Sequence, residues 1–367
     1  MAENVKKEPT KQEEKIAKAS EQILAHQAGK EIDGKSERRP GKPVGVDIGT
    51  SKIVFALEDK GQMEFSSQRN AFFAVDYSKF TEGILKQNRI SHHKIGESLI
   101  VYGDGAEIFA NMLNAETRRP MRHGLLNPKE GNAIEIIKAI LDDLVIAPGA
   151  PASQLFFSIP GVPRDAATDI IYHEAILKRH LAAKGYTTKS INEGLAVVFS
   201  ELEAENFTGF GISAGGGMCN VCLAYLSVPL ISFSLNKGGD YIDDAVASVT
   251  SEVNTRVKSI KETNLDLTAQ PTDDVEDALH IYYDDLIRTL VRALKESVSG
   301  KSKLLKIDKP VPMVLSGGTV KPNGFKERFE AVLREVHLPI KISEVRIAQD
   351  PLNATAKGAL IAAMNED

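Results

Sequence analysis

The 367-residue chain has no tryptophan and only two cysteines, and its opposite charges nearly balance. Each shortage removes a class of protein. Two cysteines cannot staple a disulfide framework. The pair present, Cys219 and Cys222, has C-x-x-C spacing, but no second such pair exists to complete a zinc site. Both thiols fall in the alternating segment Met218–Tyr225, which reads as a strand. Reduced, buried thiols of a cytosolic protein fit that placement better than redox or metal chemistry. His92-His93 has no acid or cysteine cluster in its loop and does not read as a metal site. Lys and Arg number 45 against 50 Asp and Glu, a formal charge of −5, so no nucleic-acid footprint is visible. No apolar run is long enough for a membrane span or the core of a signal peptide, and the cytoplasm is the expected compartment.

What is present is ordinary in bulk and distinctive in detail. Hydrophobic content of 42% and charged content of 26% suit a globular protein, and the length suits two domains. Residues 1–43 stand apart, being rich in Lys, Glu, Gln and Ala and free of aromatics. Lys11 to Gln27 can form a helix with Ile16, Ile23 and Leu24 as a thin apolar stripe. That stripe lacks the Trp, Phe or multiple Leu of a membrane anchor. It reads as a disordered or partner-docked tail, followed by a linker from Gly34 to Pro43.

Three glycine-bearing turns follow buried-looking strands. Asp47-Ile48-Gly49-Thr50-Ser51-Lys52 follows Val44-Gly45-Val46. Ala214-Gly215-Gly216-Gly217 follows Phe210-Gly211-Ile212. Gly317-Gly318 follows Val311-Pro312-Met313-Val314-Leu315. Such turns let backbone N–H groups approach phosphate oxygens with no Cβ in the way. Between them the pattern predicts a small mixed subdomain over 65–105, a helix over 131–146 and a strand at 155–159. A helix over about 165–184 and another from Glu193 follow. The second half repeats the order: strands around 209–235, helices about 240–260 and 273–299, a strand at 311–315, and helices 323–335 and 353–364. A strand-rich module followed by helices, met twice, predicts an α/β fold of two duplicated domains around a cleft.

Further stretches carry a resemblance. They are Arg119–Leu126, Ile191–Ala196, Gly238–Ala245, Leu315–Gly318 and Asp350–Ala359, in that order. With the first turn, they resemble the superfamily of actin, hexokinase and the large heat-shock chaperones, and within it the bacterial actins of the MreB, MamK and FtsA group. The likeness covers most of 44–364. It implies domain I over 44–190 with an outer subdomain at about 58–105, domain II over 191–352, and a C-terminal helix (353–367) returning to domain I. It also implies bound ATP and Mg²⁺. Asp47 would hold the cation through water. Gly49, Thr50, Ser51 and Gly215–Gly217 would wrap the phosphates, with Ser213 and Asp240 beside them. Lys52 would add a charge at the β-phosphate or point to solvent. Gly317 and Gly318 would admit adenosine. Lys258 and Lys261 would flank the base or form a solvated helix face. Arg118, Arg119 and His123 read as a structural connector.

The chain departs from the family's pattern in three places. Ser213 stands where the second phosphate loop begins with an aspartate, and Met218, Cys219 and Asn220 replace its hydroxyl-bearing end. Ala167 falls at the polarising glutamate, for which Asp165, Asp169 or Glu174 would substitute only in a shifted register. Loss of a water-orienting group costs about two to four orders of magnitude, so ATP hydrolysis is expected to be slow or absent. Third, few residues, 263–272, remain where the family places the outer subdomain of domain II, which bears on head-to-tail contacts. The expected function is an actin-like cytoskeletal protein that self-associates into filaments under nucleotide control. The alternatives are a non-polymerising switch or scaffold that acts on a protein partner through residues 1–43, and a chaperone-like ATPase of the same superfamily.

Overall fold

A computed structural model describes residues 41–113, 116–148, 153–164, 170–301, 307 and 309–366, together with helical Glu14, Lys15 and Lys18. The rest of the expected tail helix, and Asp165, Ala167 and Asp169, lie outside the described residues. The chain begins with β1 (Val44–Ile48), β2 (Lys52–Asp59), β3 (Gln62–Arg69) and β4 (Phe72–Asp76). Next come α1 (Lys79–Gln87), β5 (His92–Ile95), β6 (Ser98–Tyr102), α2 (Asp104–Leu113), the two-residue pair β7 (Met121–Arg122) and β8 (Leu125–Leu126), and α3 (Ala133–Leu144). Then follow β9 (Gln154–Ile159), α4 (Ile170–Ala183), β10 (Thr187–Asn192), α5 (Glu193–Glu201), β11 (Gly209–Ala214), β12 (Cys219–Tyr225) and β13 (Val228–Leu235). The last elements are α6 (Gly239–Thr250), α7 (Asn254–Thr263), α8 (Asp274–Lys301), β14 (Val311–Ser316), α9 (Phe325–Arg334), β15 (Ile342–Ile347) and α10 (Ala354–Met364).

The described chain forms two compact units. One contains Ser67–Met121 and Leu126–Ile146; the other contains Pro40–Ser66, Arg122–Leu125 and Ala147–Asp367. In the smaller unit an antiparallel sheet, ordered β4-β6-β5, packs Val75, Leu99 and Val101 against Leu85 of α1 and Phe109 of α2. Ser78 starts α1 by accepting the Thr81 N–H at 3.0 Å.

The larger unit holds two five-stranded sheets with one plan. The first runs β10-β9-β1-β2-β3 and the second β13-β12-β11-β14-β15. In each, the first strand pairs antiparallel with the second, and parallel with a strand reached through a helical crossover. The central strands β11 and β14 are buried along their whole length, as parallel strands covered on both faces must be. The duplication read from the sequence is present in the fold.

Two local readings need correction. The helix expected over 240–260 is two helices, because Ser251 adopts the left-handed region (φ +56°). Thr250 Oγ1 also bonds back to the Val246 carbonyl at 2.8 Å, a pattern that weakens helices. Strand β15 was not expected; the adjacent Ser343 and Glu344 interrupt any alternation of Ile342, Val345 and Ile347, and the strand lies at a sheet edge. The reduction of the second outer subdomain is seen. Residues 264–273 carry no sheet, only a bridge from Asp266 to Asn323 and the bond from Leu267 N–H to Asn323 O at 2.8 Å.

Helices α5 and α10 pack face to face, and a Cβ on Gly358 would drive into the Ala196 carbonyl. Gly358→Ala should therefore destabilise the protein by about 1–3 kcal/mol. Gly83→Ala, in α1 with open space around it, should stabilise by about 0.5–1 kcal/mol. Equilibrium urea unfolding separates these outcomes; equal effects would show that the helix contact has slack.

Candidate functional site

The first two glycine turns are built alike. Gly49 N–H bonds to Lys52 O at 3.1 Å, and Gly215 N–H bonds to Met218 O at 2.9 Å. Each closes a tight turn after the first strand of its sheet, which makes Ser213 the counterpart of Asp47. The α6 backbone then engages the second turn: Gly239 N–H reaches Gly215 O at 3.0 Å and Asp240 N–H reaches Gly216 O at 2.8 Å. Because the peptide is trans and planar, the N–H groups of Gly216 and Gly217 are directed away from α6. Side chains at Gly216 and Gly217 would collide with the Ser51 and Thr50 hydroxyls respectively. Thr50 Oγ1 also accepts the Gly124 N–H at 2.9 Å, at a turn where His123 and Gly124 both have positive φ.

The third turn locks onto the second. Gly317 takes φ +95°, and a Cβ there would meet the Ala214 backbone. Its N–H bonds to Pro351 O at 2.8 Å, and Thr319 Oγ1 donates to Gly215 O at 2.8 Å. The three turns are thus one connected assembly.

Two carboxylates face this assembly. Ser158 Oγ on β9 donates to Asp47 Oδ1 at 2.7 Å and accepts the Ile48 N–H at 2.9 Å, which fixes the acid at the end of β1. Glu193 opens α5, where Asn192 caps the helix by accepting the Leu195 N–H at 3.2 Å. Ser213 Oγ donates to Glu193 Oε2 at 3.0 Å. Burial raises the Glu193 pKa well above the carboxylate range, and the nearby Asp47 charge raises it further; the Ser213 bond offsets part of this. Burial also raises Asp47, against the lowering effects of Ser158 and Lys52. Two desolvated acids this close resist being ionised together unless a cation joins them. Sequence reasoning took Glu193 only for a helix start. The available signal was an acid between a capping Asn and a Gly at that start.

A family model described as Volactin matches residues 43–363. The chain belongs to the Volactin family. Its structure is similar to that of the MamK double helical filament, at 17% identity and TM-score 0.66, covering 89% of this chain and 99% of that one. It is similar to the ethanolamine utilization protein EutJ from Carboxydothermus hydrogenoformans, at 19% identity and TM-score 0.52, covering 94% and 98%. It is also similar to MreB5 of Spiroplasma citri bound to ADP, at 15% identity and TM-score 0.59, covering 87% and 95%. These likenesses show an actin-like fold. No curated protein matches the sequence.

The other expected site residues of this Volactin-family chain are placed as follows. Lys52 begins β2, close enough for its charge to act on Asp47. Asp240 lies by Gly216, whose added Cβ would sit 3.4 Å from Asp240 Oδ1. Lys261 is buried; it pairs with Asp243 at 2.8 Å and donates to Gly239 O at 2.8 Å, so it braces α6 beneath the second turn. Burial raises Asp243 to about 6 despite that partner. Lys258 lies 4.0 Å from Glu262 on the same helix. Gly318 has Leu352 as its neighbour. Glu174 accepts from Ser190 Oγ at 2.6 Å and so is occupied at β10. Asp165 lies outside the described residues. Cys219 and Cys222 are buried and free, each thiol pushed up to about 12 by burial.

The acid pair predicts a pH dependence. A carboxyl whose native pKa is raised favours folding below its unfolded pKa and loses that advantage as pH climbs through the native value. In chelator, wild-type Tm should fall between pH 6 and pH 9. Glu193→Gln should flatten that fall and be the more stable protein at pH 9, by roughly 2 kcal/mol. Parallel Tm–pH curves for the two proteins would contradict the pairing.

Proposed function

We propose that this protein is an actin-like, ATP- and Mg²⁺-binding protein of the cytoplasm that self-associates under nucleotide control and hydrolyses ATP slowly. The observation that carries it is the convergence of three interlocked glycine turns on the Asp47–Glu193 acid pair. The residues fit the ligand: carboxylates that cannot both stay charged alone suit a divalent cation, and turns without side chains suit phosphate oxygens. Bound Mg²⁺ would neutralise phosphate charge. Asp47 and Glu193 would hold it through water. Thr50, Ser51 and the amides of 50–52 and 216–217 would bind phosphates, with Lys52 adding charge. Gly317, Gly318 and Leu352 would border the adenosine, with Lys258 alongside. Support for a nucleotide comes from the similar MreB5 structure, which is described as bound to ADP, and support for self-association from the MamK filament.

Slow hydrolysis follows from the donor set. Glu193 supplies from α5 a carboxylate that Ser213 lacks, so cation binding is retained. Among the described residues, the water-orienting groups of the second phosphate loop are not restored, because Met218 and Cys219 carry no hydroxyl and Asn220 Oδ1 is held by the Gly161 N–H at 2.8 Å. A second reading is a non-polymerising switch with a protein partner at residues 1–43; the short 264–273 connection favours it.

Calorimetry should show ATP·Mg²⁺ binding that weakens at least tenfold in Asp47→Ala. Phosphate release should stay near background. Sedimentation should show more pelleted protein with ATP·Mg²⁺ than without. Binding without any nucleotide-dependent pelleting would favour the switch, and no binding at all would end both readings.

A further inference from the structure

After β9 the chain leaves the first sheet at Pro160 and runs along the edge strand of the second. Ser234 N–H on β13 bonds to Val162 O at 3.0 Å, and Arg164 N–H bonds to Ser234 O at 3.1 Å, a parallel bridge centred on Pro163 and Ser234. Ser234 Oγ donates to Gly161 O at 2.8 Å, and Gly161 N–H donates to Asn220 Oδ1 at 2.8 Å. Residues 161–164 thus form a strap that is covalently part of one sheet and hydrogen-bonded to the other. At its far end the Arg164 guanidinium covers the Phe233 ring. It donates to Ala293 O at 2.7 Å, to Ser297 Oγ at 2.8 Å and to Glu296 Oε2 at 3.0 Å, all on α8.

The near end of the strap touches the site. Asn220 is the cross-strand partner of Ser213, which donates to Glu193. Elsewhere the two sheets join through the packed seam of α5 and α10. The strap adds a second point of attachment. Its inner end is buried, whereas Arg164 and Glu296 are partly exposed and therefore form the end that can release.

We infer that Gly161–Arg164 is a latch between the two sheets, fastened by Arg164, that slows departure of bound nucleotide. The inference rests on the nucleotide reading above. Arginine suits the task because its rigid planar fork spreads donors over separate nitrogens that here reach a carbonyl, a hydroxyl and a carboxylate, whereas a lysine has its three donors on one atom.

The test combines two readouts on the full chain. Amide hydrogen exchange of Arg164 and Ser234 is followed in nucleotide-free protein, and release of a fluorescent ATP analogue is timed by chase with unlabelled ATP·Mg²⁺. Arg164→Ala should lose protection at both amides and release the analogue about tenfold faster. Arg164→Lys should fall between. Arg288→Ala, which removes a different ion pair from the same helix (Arg288–Glu335), should leave both readouts unchanged. Unchanged protection in Arg164→Ala, or lost protection with unchanged release, overturns the latch alone. Failure of the wild type to bind the analogue instead overturns the reading of the site, and the latch with it.

Discussion

The larger unit depends on backbone meeting backbone where its two sheets join. Gly45 on β1 lies against the Ala356 and Leu360 backbone of α10; Gly358 of α10 lies against Ala196 of α5; Gly194 of α5 lies against Cys222 of β12. The path from one sheet to the other runs through these approaches, with alanines such as Ala356, Ala359 and Ala363 filling α10 between them. Small residues let helix and strand axes come closer than larger side chains permit, and the gain is dispersion spread over many atoms. Such a seam has almost no slack, since a single methyl group at Gly358 has no room. The stiffness is what allows β1 and α5, distant in sequence, to end at fixed places.

At those ends sit Asp47 and Glu193, and their juxtaposition runs against ordinary electrostatics. Burial disfavours either charge, and each charge disfavours the other. Ser158 and Ser213 hold the two oxygens in place but do not neutralise them. The same desolvation that makes the pair unfavourable when empty makes an added cation more favourable, because the attraction is no longer screened by water. The acid pair is therefore held at the expense of the protein's own stability. The seam of small residues supplies the rigidity that keeps the acids from separating.

The sequence made the frame legible and left the connections obscure. The strands Val44–Ile48, Gly209–Ala214 and Val311–Ser316 announce themselves as apolar runs ending in glycine, because a buried strand and a tight turn are both local facts. Their order predicted two duplicated α/β domains, and the actin-like fold was implied by the resemblance that the turns and the five further stretches carry. Glu193 did not stand out, since its meaning lies in Ser213 and Asp47, and no local pattern reports a neighbour across two sheets. The same holds for Ser158, for the Asp243–Lys261 pair that braces α6, and for Gly161–Arg164, which lies between the expected strand at 155–159 and the expected helix from about 165 and proves to be paired with β13. The break at Ser251 and the strand β15 were lost for a different reason, being short elements with weak periodicity.

The duplicated plan explains why the acids are divided as they are. The Asp47–Ser158 arrangement of the first sheet has its positional copy in Ser213 and Ser316, paired across β11 and β14 in the second. Only the first copy carries a charge. The missing carboxylate arrives instead from the first turn of α5, where the positive end of the helix dipole favours an anion. That exchange of location matters mechanically. An acid on β11 would move with its own sheet, whereas Glu193 moves with the helix that forms the seam. Any ligand that draws Glu193 toward Asp47 therefore presses directly on the Gly194 and Gly358 contacts. Conversely, any force that opens the seam displaces a group at the centre of the site. Charge binding and the relative position of the sheets are joined in one helix.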